Sequence, residues 1–141
     1  MNEFEAGAAG GDTGRMDSLF GEDQLAEART THRGRFARVA TERGLDRHPD
    51  GLTYRVPDDL ADLDVGDRVL VPLGRGDKPT GGVVLALQDT TDVDPARLKP
   101  IKGRDRGAVN LPPDLIELAR WISAYYCCPL GTVLTTLVPA A

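Results

Sequence analysis

The hydrophobic period of this chain changes once, at Leu111-Pro112-Pro113-Asp114, and that change limits the folds open to it. Upstream, apolar residues recur in short runs with alternating or continuous apolar character. These are Phe36-Ala37-Arg38-Val39-Ala40, Leu52-Thr53-Tyr54-Arg55-Val56, Arg68-Val69-Leu70-Val71-Pro72-Leu73 and Gly81 to Leu87. Each reads as a strand. Asp50-Gly51, Pro57, Asp64-Val65-Gly66-Asp67 and Gly74-Arg75-Gly76-Asp77-Lys78-Pro79 separate them with turn-forming residues. Arg97 to Ile101 is a candidate further strand. No helical pattern interrupts the series, so it predicts a small antiparallel β-barrel or curled sheet. Downstream, Leu115, Leu118, Ala119, Ile122 and Tyr126 recur at helical spacing. Pro112-Pro113-Asp114 suits a helix start, Pro129 stops it, and Gly131 to Val138 can form a shorter second helix. The fold class expected is mainly β with one or two C-terminal α-helices.

Residues 1–34 have another texture. They are rich in Gly, Ala and acids, lack sustained periodicity, and carry three arginines against seven acidic residues. Such a segment buries too little apolar surface to offset its ordering entropy, so a disordered acidic leader is expected there, with the folded domain at 35–141. The folded part has fourteen basic against fifteen acidic residues. That near-neutrality argues against gripping a long nucleic-acid backbone by charge alone. Met16-Asp17-Ser18-Leu19-Phe20 interrupts the leader as an apolar-acidic island. It resembles a peptide that docks on the bacterial sliding clamp, with Leu19-Phe20 matching and the leading Gln missing. Met16, Leu19 and Phe20 are therefore candidate partner-docking residues.

Common catalytic constellations are missing from the sequence. Gly74 to Thr80 has the glycines and lysine of a phosphate loop, but Lys78 precedes Pro79 and the glycine spacing is wrong. His32 and His48 have no nucleophile and orienting carboxylate at a recognisable spacing. Cys127-Cys128 does not provide a C-x-x-C zinc spacing, and adjacent cysteines on a helix end point about 100° apart, so both are expected to pack as small hydrophobes. No metal and no cofactor is expected. No apolar run of membrane-spanning length and no secretory leader is visible, so no membrane partner is expected and the location expected is the cytoplasm.

The ordered set of motifs is more specific than any one of them. Leu52-Thr53-Tyr54-Arg55-Val56-Pro57 precedes Val65-Gly66-Asp67-Arg68-Val69-Leu70-Val71-Pro72-Leu73-Gly74 and Thr80-Gly81-Gly82-Val83-Val84. Arg97-Leu98-Lys99-Pro100-Ile101 follows, then Leu118 to Tyr126 with Pro129-Leu130-Gly131. From Phe36 to Pro139 this series resembles the N-terminal 3′ DNA-binding domain of the bacterial replication-restart helicase PriA. In that family the tyrosine pair and the P-x-G turn close the domain, and the positions held here by Cys127 and Cys128 vary.

The resemblance implies a non-enzymatic module of DNA replication restart that recognises the 3′ end of a nascent strand, at a fork or on a single strand. It implies a pocket from Leu52, Thr53, Tyr54, Gly74 and Lys99. Tyr54 would stack on a base, Gly74 would allow close approach, and Lys99 would place a charge at a phosphate. Leu52 stands where the family has an aromatic, and Thr53 where it has an aspartate. A DNA path is expected along Arg75, Lys78, Arg97, Lys102 and Arg104. Helicase or primosome proteins and the sliding clamp are the expected protein partners. The alternative is a protein-interaction module of a primosome or split helicase that has lost 3′-end selectivity.

Overall fold

The computed structural model describes residues 30–43, 48 and 50–137. The leader residues Met16, Leu19 and Phe20 lie outside them. Five strands form one mixed-length sheet: β1 (His32–Thr41), β2 (Leu52–Arg55), β3 (Arg68–Leu73), β4 (Lys78–Thr91) and β5 (Gly103–Arg104), in the order β2-β1-β4-β3-β5. Every ladder is antiparallel. Two helices follow, α1 (Pro113–Tyr126) and α2 (Leu130–Leu137). The sheet curls without closing. At its β2 edge, the Arg55 N–H donates to the Lys99 carbonyl and the Ile101 N–H donates to the Arg55 carbonyl, both at 3.0 Å. This makes an isolated parallel bridge from Arg55 to Pro100.

The curl places apolar cores on both faces of the long strands. Inside it, Ala37, Val39, Tyr54, Val56, Leu60, Leu63, Val69, Val71, Val84 and Ile101 pack together. On the outer face, Ala40, Val83 and Leu85 meet Leu111, Ile116, Ala119, Leu130, Val133 and Leu134. Alternation in β1 explains the division, with Ala37 and Val39 facing inward and Ala40 facing the helices. Helix α2 lies close against the end of β1: a Cβ at Gly131 would run into the Thr41 carbonyl oxygen. Each large apolar side chain buried here contributes about 1.5–3 kcal/mol.

The structure differs from the sequence reading at four places. Arg97 to Ile101 is not a strand: Pro95–Arg97 forms a 3-10 turn capped by the Asp94 carboxylate, which accepts from the Ala96 N–H at 3.0 Å. The last strand is Gly103–Arg104 instead. Strand β4 also begins earlier than expected, at Lys78. Pro79 enters it opposite Pro72, a pairing in which neither residue has a ladder N–H to lose. In α1, Ile116 and Ala119 are buried, whereas Leu118 and Tyr126 point outward beside Trp121 and Tyr125. Finally, only Cys128 packs against the outer core. Cys127 is exposed at the corner after α1, in the left-handed conformation that ends the helix.

Candidate functional site

The incomplete closure of the sheet creates the site. Arg55 turns its backbone N–H and C=O toward the 99–101 segment. Strand geometry alternates these directions, so Thr53, two residues earlier, turns its own N–H and C=O toward the same open edge. Beyond the Arg55 bridge the edge has no opposing strand among the described residues. A depression of about 250 Å³ occupies the gap, lined by Leu52, Thr53, Tyr54, Gly74, Leu98 and Lys99, with Pro72, Leu73 and Arg97 completing it. All five residues expected at the pocket therefore converge, from β2, the β3–β4 turn and the segment after the 3-10 turn. Its volume is below the roughly 300–1,000 Å³ of drug-sized sites.

Tyr54 does not present its ring as the expected stacking platform. The residue is 3% exposed and belongs to the inner core. Its hydroxyl donates to the Pro72 carbonyl at 3.2 Å, and burial pushes the phenol up to about 12. Alternation gives the reason: Tyr54 faces inward with Val56, and only its margin reaches the depression. Leu52 and Leu98 supply the apolar wall instead.

The rim is held by Lys99. Its ammonium donates to the Gly74 carbonyl at 3.0 Å and to the Asp77 carboxylate. That bond and the Lys99 charge hold the Asp77 carboxyl below the usual carboxylate range, with the Lys102 charge adding to the effect. Lys102 caps the same loop by donating to the Asp77 carbonyl at 2.6 Å. Gly74 has φ +76°, and a Cβ there would meet nothing within 4 Å. Its backbone conformation requires glycine, and the space before it is open to a ligand.

The expected DNA path is only partly assembled. Arg97 lines the depression, and Arg75 and Lys78 are exposed beyond the turn. Lys102 is engaged by the loop carbonyl. Arg104 points elsewhere, to Asp62 and Asp67, each at 3.3 Å. Sequence reasoning did not single out Leu98, which lines this depression, or Arg38, which lines a neighbouring one. Leu98 sits inside a quoted motif but carries no charge to single it out. Arg38 is a lone cation on the outward register of an apolar strand, which is an ordinary pattern.

Residues 39–139 match the family model of the PriA 3′ DNA-binding domain. The chain belongs to this family. Replication restart protein PriA of Chlamydia muridarum is 41% identical over 92 residues, covering 62% of this chain and 12% of that protein. The PriA of Chlamydia pneumoniae is 37% identical over 89 residues, covering 63% of this chain and 11% of its own length. That of Rickettsia conorii is 31% identical over 88 residues, covering 62% and 13%. The chain thus spans about an eighth of the length of these curated relatives, and the matched part is a DNA-binding domain. Among the described residues no helix is long and apolar enough to cross a membrane.

Proposed function

We propose that this chain is a DNA-binding module of replication restart whose Leu52–Lys99 depression receives the 3′-terminal nucleotide of a strand. The observation carrying this reading is the convergence of Leu52, Thr53, Gly74 and Lys99 around a strand edge left unpaired among the described residues. The nucleotide is a ligand with donors and acceptors on every face. The outward N–H and C=O of Thr53 meet it whatever residue occupies position 53, so replacing aspartate with threonine leaves the backbone recognition in place. Leu52 and Leu98 cover the sugar or base, and Lys99 faces the phosphate. The reading requires that a group added to the 3′-hydroxyl weaken binding. The module works in the cytoplasm, on DNA with a free 3′ end.

The test is fluorescence anisotropy with labelled single strands ending in a 3′-hydroxyl or a 3′-phosphate. The hydroxyl strand should bind at least tenfold more tightly, and Lys99→Ala should weaken it. Equal affinity for both strands refutes end recognition.

A second reading concerns α1. Leu118, Trp121, Tyr125 and Tyr126 are exposed, and the Trp121 and Tyr125 rings stack at 5.3 Å. An aromatic face of this kind suits protein docking. The occupant proposed is the remainder of a PriA protein, since relatives devote only about an eighth of their length to this domain. A Trp121→Ala variant that keeps DNA binding but loses association with such a PriA body supports this reading; unchanged association refutes it.

A further inference from the structure

A second depression lies beside the first and shares Thr53 as a wall. It encloses about 550 Å³ between Arg38, Thr53, Gln88, Asp89 and Asp92, with more of the end of β4 around them. Arg38 stands at the centre of β1, opposite Thr53 on β2 and Ala86 on β4. It shares the outward register of Ala40, but the helices that bury Ala40 leave Arg38 only half-buried.

The state of its guanidinium is unusual. Arg38 Nε is shut off from solvent and has no hydrogen-bond partner among the described residues. The ion pairs formed by Arg68, Lys99 and Arg104 do not include Arg38. A buried N–H of a charged group without an acceptor is costly to a fold. Arg38 also lines the depression, so a ligand seated there can bring an acceptor to the same guanidinium.

We infer that Arg38 binds a backbone phosphate of the strand whose 3′-terminal nucleotide occupies the Leu52–Lys99 depression. This inference rests on the proposed function. The shared Thr53 wall joins the two depressions, so a strand leaving the first crosses β2 toward β1 and reaches Arg38 within its first linkages. The phosphate accepts from the guanidinium in a charge-assisted hydrogen bond, and the Thr53 hydroxyl is a further donor on the route. Asp89 and Asp92 line the same depression and repel every phosphate, the one at Arg38 included, so they weaken that contact and oppose a long backbone there. The strand runs away from the Asp77 loop, not along it.

The test is a coupling experiment with single strands ending in a 3′-hydroxyl. The first or the second linkage from that end is replaced by an uncharged methylphosphonate. Wild-type protein should lose about tenfold in affinity at one of these positions, the size expected of about 1.4 kcal/mol from one charge-assisted contact. Arg38→Gln should bind the unmodified strand about tenfold more weakly and be indifferent to methylphosphonate at that position. Arg38→Lys should recover part of the loss, and Asp89→Asn should gain affinity through weaker repulsion. Thermal melts check that the outward substitutions leave the fold intact. An undiminished methylphosphonate penalty in Arg38→Gln at both positions overturns the inference. So does the lack of a penalty at both positions in the wild type. If the hydroxyl-over-phosphate preference persists in that case, only the Arg38 contact falls. If the wild type lacks that preference too, the 3′-end reading falls with it.

Discussion

The basic segment from Arg97 to Arg106 and Arg38 of β1 differ in what their charges already face. Lys99 is held by Asp77 and the Gly74 carbonyl, Lys102 by the Asp77 carbonyl, and Arg104 by Asp62 and Asp67. Arg38 Nε has no hydrogen-bond partner among the described residues. A run of cations in a sequence looks like a nucleic-acid track, yet here much of that run fastens loops to the sheet. The lesson is that a cation's availability depends on its fold neighbours, while its mere presence is all that sequence displays. Arg68 makes the same point from inside: it is 7% exposed and spans Glu42 at 2.7 Å and Asp105 at 3.9 Å, pairing that a buried charge requires.

Substitutions can break this contrast. Lys99→Ala carries the largest expected effect, because Lys99 belongs to both sides: it holds the rim and, in the proposed function, faces the ligand. Affinity for a 3′-hydroxyl strand should fall by about 10–30-fold, equivalent to about 1.4–2 kcal/mol. Anisotropy with strands of fixed length and salt measures it. A loss below twofold would place the ligand elsewhere.

Tyr54→Phe is next, and tests whether the ring is a floor or a platform. Removing the hydroxyl leaves the Pro72 carbonyl without its donor and should cost about 1 kcal/mol in urea unfolding at neutral pH, with DNA binding nearly unchanged. The alkaline limb sharpens this. Burial raises the folded phenol from 10.0 to about 12. Its contribution is therefore complete below pH 10 and is lost as pH rises through about 12, because the unfolded chain releases that proton first. Wild-type stability should show this alkaline loss and Tyr54→Phe should lack it. The same slope in both would mean the ring is not buried.

Asp77→Asn should have a smaller effect of opposite sign. Neutralising the partner of Lys99 frees its ammonium for a phosphate, so affinity should rise about two- to threefold, an effect screened by salt at this exposed site. Arg104→Ala should do least. Its pairs lie away from the depression and are partly solvent-exposed, so binding should stay within twofold and stability should fall by less than about 1 kcal/mol. A large binding loss there would restore Arg104 to the DNA path.

Much of the site was legible because its residues fall in short motifs whose order follows the chain. Leu52, Thr53, Tyr54, Gly74 and Lys99 were identified through that order, and the curl of the sheet brings them together. Their roles were harder to read. Alternation within Leu52-Thr53-Tyr54-Arg55 says that Tyr54 and Thr53 face opposite ways, but only the inner core reveals which way is in. Helical spacing grouped Leu118 and Tyr126 with Ala119, whereas the packed face of α1 centres on Ile116 and Ala119 and leaves the aromatic side out. Arg97-Leu98-Lys99 had the composition of a strand, and Pro95 with the Asp94 cap turned its start into a 3-10 turn. Arg38 had no sequence signal at all, since the burial and partners of a side chain are set by the folded neighbours around it.

The most direct measurement is an amide-resolved NMR titration of the protein with a short single strand ending in a 3′-hydroxyl. Thr53, Gly74 and Lys99 amides should shift first, together with the Arg38 Nε–H, while Trp121 and Tyr125 stay in place. A strand ending in a 3′-phosphate should leave Thr53 unmoved at the same concentration. Shifts confined to the α1 aromatic face, or identical shifts with both strands, would contradict a terminal nucleotide seated at the open edge of β2.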